Sequence, residues 1–200
     1  MRSKEKDRLA VCVFVIAAYI LSVSVYVYAV KSLENFVSRP LALDPLSYRD
    51  AMSRLAGHVH IVTTAEGSVR RGVTITAACS VSDDPPTVLV CLNLANPRNR
   101  IFVESGRFAL NVLAADQMDL AHVFSGRDGI EPELRFDYGN WTTLSTGAPV
   151  LSRALAAFDC EIIDSKAIAT HMVLFGKVMA MEIGDPREAL VYFHRDYHTL

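Results

Sequence analysis

With 200 residues, 51% of them hydrophobic, and 20 Lys+Arg against 22 Asp+Glu for a formal charge of −2, the chain has room for one medium domain plus an appendage. From residue 46 onward acidic side chains outnumber basic ones and no cationic stripe occurs, which argues against nucleic acid or anionic lipid as a partner of that portion and leaves small soluble ligands. Cys12, Cys79, Cys91 and Cys160 show no CxxC spacing and sit in apolar or strand-like context, so buried free thiols are expected rather than zinc ligands or a disulfide framework.

Residues 9–30 carry no charge, and 22 residues at about 1.5 Å each cover the roughly 30 Å hydrocarbon core of a bilayer. This is a candidate transmembrane helix. Arg2, Lys4, Lys6 and Arg8 precede it and only Lys31 and Arg39 follow closely, so the positive-inside rule puts the N-terminus in the cytosol and the rest outside. A cleaved signal with a weak Val27-Tyr28-Ala29 site and an extension absent from the working protein are the other two readings. Residues 31–44 lack periodicity and contain Pro40, a linker that ends at Asp44 as N-cap, with Pro45 at the first helical position. The domain is expected over 45–200.

Tyr48, Met52 and Leu55 recur at helical spacing, after which HVHIVTT switches to period two and AEGS supplies a turn. Thr74, Thr76 and Ser80 then alternate with small or apolar residues, predicting a strand over 70–81 with hydroxyls on one face. Asp83-Asp84-Pro85-Pro86 forces a reversal, because proline fixes φ and removes a ladder donor, and TVLVCL resumes as a central strand over 87–92. Further strands are predicted at 107–113, 154–164, 170–181 and 190–193, with short helices at 98–104 and 116–124. Many strands with few crossover helices point to a mainly antiparallel, partly closed barrel. His58 and His60 flank Val59 at i and i+2, but no third ligand follows at metal-site spacing; they are read as structural.

The blocks YRDAMSRLAGHVHIVTT, GVTITAACSVSDDPPTVLVCLN, SGRFALNVLA, FDCEI, THMVLFGKV and LVYFHRDYHTL run in order from Tyr48 to Leu200. Together they resemble the flavin reductase-like family, the small split-barrel reductases that supply reduced flavin to two-component monooxygenases. The resemblance implies a mainly β fold with minor α, a split antiparallel barrel of the FMN-binding type with short flanking helices, here preceded by the hydrophobic N-terminal segment. It implies an NAD(P)H-dependent reductase acting on FMN or FAD, a homodimer, and a flavin-dependent monooxygenase as partner. The alternatives are a flavin-binding protein without turnover and a membrane-anchored redox or binding module built on residues 9–30. Soluble nicotinamide and flavin are cytosolic, which conflicts with the topology from positive-inside counting; a cytosolic catalytic domain is the favoured resolution.

A flavin needs a slot for a flat tricycle, donors for the pyrimidine edge where charge develops on reduction, and donors for its phosphate. By resemblance the slot is Thr74, Ile75, Thr76, Ala77 and Ala78, continued by Cys79 and Ser80, although a Thr-rich stretch equally suits a plain pleated strand. The loop LNLANPRNR leaves a strand and enters a predicted helix, offering N–H donors to a phosphate. Asn93, Asn96, Asn99 and Arg100 are the candidates there, with Asn96 and Asn99 standing where family members often carry serine or threonine. Phe108 and Asn111 lie on a strand that the family places beside the ring. His171 of the TH motif is expected to bind or orient flavin and nicotinamide rather than transfer protons, since hydride transfer needs none from it; Ala169 replaces the usual glycine before that motif. At the C-terminus, Arg195 and Tyr197 are expected to flank the nicotinamide site, with His194 and His198 equally readable as tail.

Overall fold

The structure, a computed structural model, describes residues 43–200. The candidate span 9–30, Cys12 and the linker up to residue 42 lie outside them, and among the described residues no helix is long and apolar enough to cross a membrane. The chain divides into two units after Arg49.

Helix α1 (Pro45–Met52) starts where the sequence places it. Asp44 accepts hydrogen bonds from the Ser47 backbone N–H and hydroxyl, each at 3.0 Å, and these bonds hold its carboxyl below the usual range. Such a cap satisfies a helix N–H that has no intrahelical acceptor. No residue of α1 is buried.

Beyond it the fold is mainly antiparallel β. A seven-stranded sheet has the order β3-β2-β6-β9-β10-β5-β4, built from β2 (His60–Glu66), β3 (Val69–Ile75), β4 (Ala78–Asp83), β5 (Pro86–Asn93), β6 (Arg107–Val112), β9 (Ala156–Ile168) and β10 (His171–Ile183). A three-stranded sheet joins β1 (Gly57–His58) to the C-terminal hairpin β11 (Leu190–Phe193) and β12 (Asp196–Thr199), and β7 (Trp141–Thr143) pairs with β8 (Pro149–Leu151). Helices are short: α2 (Ile101–Ser105), preceded by a 3-10 turn at Pro97–Arg100, and α3 (Met118–Ser125).

The strand expected over 70–81 is in fact two. β3 and β4 lie at opposite edges of the large sheet, yet only Thr76 and Ala77 separate them. A flat sheet of this size would hold its edges roughly 29 Å apart at about 4.8 Å per strand, far beyond two residues of about 3.5 Å each. The sheet therefore curls until its edges approach at this corner, where the Ala78 N–H turns back to the Thr76 carbonyl at 3.0 Å. No ladder joins β3 to β4, so the curl is not a closed barrel. The Pro-Pro reversal falls where the sequence puts it, with Asp83 opposite Pro86.

The inner face of the curl buries Val62, Val90, Leu92, Phe108, Leu110 and Leu174. A second cluster, including Val59, Ile61, Leu113, Phe124 and Leu190, packs α3 and the C-terminal hairpin against the other side. Gly176 permits the tightest approach in the first cluster: a Cβ there would stand 2.6 Å from Phe108 Cε1 and 2.8 Å from Cys160 Cβ.

Candidate functional site

At the corner where β3 passes to β4 a cleft of about 340 Å³ opens. Val73, Thr74, Ile75, Thr76 and Ala77 form one wall, Cys91, Leu92 and Asn93 from the end of β5 another, with Asn99, Arg127, His171, Tyr192 and Tyr197 around them. The sheet order explains the gathering. Asn93 pairs with His171 across β5–β10, and the tight corner brings both edges of the curl to that point.

The corner leaves donors free. The Thr76 and Ala77 backbone N–H groups donate to no backbone carbonyl among the described residues, while the Ala77 carbonyl accepts from Cys91 N at 3.0 Å. His171 opens β10 after a two-residue turn in which Ala169 takes a left-handed φ of 49°, the conformation that favours glycine. Its Nδ1 lies 2.9 Å from Thr170 Oγ1. Tyr192 and Tyr197 face each other across the C-terminal hairpin with ring centroids 5.3 Å apart. Burial raises the Tyr197 phenol above its ordinary pKa, partly offset by the charge of Arg127.

Of the residues singled out in the sequence, Thr74, Ile75, Thr76, Ala77, Asn93, Asn99, His171 and Tyr197 line this one cleft. Ala78, Cys79 and Ser80 line a separate, more apolar cavity of about 370 Å³ with His60, Leu110 and Phe158. Arg100 lies in a third depression with Arg70, Arg71 and Arg98. Phe108 is fully buried core. Asn111 is also fully buried; its Nδ2 donates to the Ile61 carbonyl at 2.9 Å and its Oδ1 accepts from Leu151 N at 2.8 Å. Neither lines the cleft. Arg195 sits with His194 in the β11–β12 turn, both at positive φ, pairs with Asp50 and is not among the lining residues.

The helix expected at 98–104 begins as a 3-10 turn and its α-helical part is five residues long. Asn96 Oδ1 caps it by accepting from Arg98 N at 3.1 Å, so the expected row of free helical donors is reduced. Asn99 is a clamp. Its Oδ1 accepts from Arg71 Nε and Nη2 at 3.1 and 3.0 Å, and its Nδ2 donates to the Asn93 carbonyl at 2.8 Å. Arg71 is only 4% exposed, its Nη1 has no partner, and burial first, then Arg135 and Arg98, pushes its pKa down to about 10.

His58 and His60 stack at 5.2 Å, and His58 Nε2 meets the Leu113 carbonyl at 2.8 Å. Burial, with a smaller contribution from His58, holds His60 at a pKa of about 4. Sequence reasoning missed Val59, Val73, Cys91, Leu92, Arg127 and Tyr192 as lining. The hydrophobic ones read as core, and only the Gly126 turn signal before Arg127 could have marked that loop.

Small side chains, free backbone donors and aromatic rings around about 340 Å³ fit a planar heteroaromatic ring, within the usual range of roughly 300–1,000 Å³ for small-molecule sites. Residues 52–200 match the flavin reductase like domain. The chain belongs to this family. Among curated relatives of this flavin reductase-like chain, the FMN reductase (NADH) RutF of Stutzerimonas stutzeri strain A1501 is 45% identical over 153 residues, covering 76% of this chain and 87% of that protein. RutF of Ancylobacter novellus is also 45% identical, over 159 residues, covering 80% and 87%. Among solved structures, BorF, the flavin reductase component of a bacterial two-component tryptophan halogenase, superposes with a TM-score of 0.73 at 33% identity, covering 78% of this chain and 98% of that one.

Proposed function

We propose that this chain is an NAD(P)H-dependent flavin reductase, with FMN and NADH as the pair its RutF relatives are named for, and that it supplies reduced flavin to a partner monooxygenase. The observation that carries the reading is the convergence of the Thr74–Ala77 corner, Asn93 and His171 on one cleft. Flavin accepts hydride from nicotinamide at its ring nitrogen N5. The chain's part would be positioning, since such a transfer requires reacting atoms within about 3–3.5 Å of each other. The Thr76 and Ala77 N–H groups would meet the pyrimidine edge, where negative charge grows on reduction. Asn93 and His171 would orient the ring from the opposite strands, and Tyr192 and Tyr197 would cover the nicotinamide face and exclude water.

The curled sheet with its unlaced β3–β4 seam supports the split-barrel form. A homodimer is supported by the β9–β10 hairpin, where Ile163, Met179, Met181 and Ile183 are exposed, apolar surface of the kind that a second copy covers. The test is anaerobic: the purified chain with FMN should oxidise NADH at 340 nm stoichiometrically with bleaching of the flavin at 450 nm. Bound yellow flavin that NADH leaves oxidised would select the binding protein without turnover. Sedimentation of the wild type against Met181→Asp checks the dimer.

A further inference from the structure

We infer that Arg127 is the residue that receives the diphosphate of the nicotinamide dinucleotide, an assignment that rests on the reductase reading above. Of the fourteen residues lining the cleft, Arg127 alone carries a permanent charge. The hydroxyls and amides around it carry no charge, and several are already engaged. Thr74 Oγ1 donates to the Ala121 carbonyl at 2.8 Å, Asn93 Oδ1 accepts from Ala95 N at 2.8 Å, and both ends of the Asn99 amide are held. A diphosphate brings two negative charges into this space, and a guanidinium is the side chain that meets phosphate oxygens with two parallel hydrogen bonds.

The position favours the dinucleotide over the flavin phosphate. Arg127 follows α3, whose last turn places His122 edge-on to Tyr197 at 4.9 Å, so its loop belongs to the tyrosine side of the cleft. The Asn93–Arg100 segment lies on the β5 side and brings its own cations, Arg98 and Arg100. Arg127 is exposed and forms no ion pair with any described residue. Asp128 beside it does not line the cleft. The loop is held by Gly126, which ends α3 with a φ of 77°, and by the Arg127 N–H donating to Ser125 Oγ at 3.3 Å. The guanidinium is thus uncommitted.

The full-length chain is compared with Arg127→Gln and Arg127→Lys by steady-state kinetics and by direct titration with NAD⁺. Loss of a charge-assisted pair predicts KM for NADH and Kd for NAD⁺ raised roughly 10- to 100-fold in Arg127→Gln, with lysine intermediate. The ratio of KM for riboflavin to that for FMN should hold within about twofold. Reduced nicotinamide mononucleotide, which lacks the diphosphate, should feel the substitution less than NADH does. Unchanged NADH and NAD⁺ constants, a wild type that binds no NAD⁺, or lost discrimination between FMN and riboflavin would each overturn the assignment. Weakened NAD⁺ binding in a chain that shows no turnover would keep Arg127 and reject the reductase reading instead.

Discussion

Replacing Asn99 by alanine should cost this fold about 3–5 kcal/mol, far more than a surface loop residue normally contributes. The reason is Arg71, a guanidinium 4% exposed whose side-chain acceptor is Asn99 Oδ1, through bonds of 3.1 and 3.0 Å. No carboxylate among the described residues pairs with it. Hydrogen bonds to a charged group contribute about 1.5–3 kcal/mol net, and removing the shared acceptor of these two leaves the guanidinium desolvated, about 2–4 kcal/mol together. Lost with them is the Asn99 Nδ2 bond to the Asn93 carbonyl, worth about 1 kcal/mol. For a chain of this size each kcal/mol lowers Tm by roughly 2–4 °C. Urea unfolding followed by circular dichroism, without flavin, measures the loss, and the cycle with Arg71→Met isolates its cause. Methionine keeps the apolar stem and removes the charge, so Asn99→Ala should cost only about 1–2 kcal/mol in that background, a coupling of about 2 kcal/mol or more. A loss below about 1 kcal/mol in the wild type, or an equal loss in both backgrounds, refutes the clamp.

His60, buried with its pKa lowered from 6.5 to about 4, binds its proton more readily when unfolded. It therefore contributes stability that is complete above pH 6.5 and lost as pH falls toward 4, roughly 3 kcal/mol in all; stability–pH curves of wild type and His60→Phe should diverge across that window, and parallel curves would reject it. Ala169→Gly relieves the left-handed φ of 49°, about 1–2 kcal/mol for a residue with a Cβ, less about 0.5–1 kcal/mol for glycine's freer unfolded chain; a net gain of roughly 0.5–1 kcal/mol is expected in urea unfolding, and a net loss counts against that geometry. Gly176→Val drives a side chain into Phe108 and Cys160 and should cost about 2–3 kcal/mol by overpacking, readable in the same assay.

Elements set by short-range patterns were legible from the residues alone. The Asp44–Pro45 helix start, the Pro-Pro reversal between β4 and β5, the 107–113 strand, observed as β6, and the 116–124 helix, observed largely as α3, each depend on local φ preference, capping or alternation. The period-two pattern of residues 70–81 could not show its own break, because Thr76 and Ala77 continue the alternation of small and apolar residues while the chain crosses from one sheet edge to the other. Nor could HVHIVTT reveal that Val59 divides it, with β1 joining the C-terminal hairpin and β2 the large sheet. Which strands become neighbours is a long-range choice, decided by how apolar faces are buried together.

The candidate site divides along the same line. Amino-acid types and order pointed to the Thr74–Ala77 stretch, Asn93, His171 and Tyr197 with the help of a family resemblance, since hydroxyls, amides and a strand-borne histidine are chemical properties that the sequence states directly. The burial of Phe108, the commitment of Asn111 and Asn99 to backbone and to Arg71, and the presence of Arg127 beside the tyrosines were settled only by packing. A side chain's availability depends on what reaches it from residues distant in sequence: Arg71 is 28 positions from Asn99, Leu151 is 40 from Asn111, and the packing of separate elements against the large sheet brings each pair together.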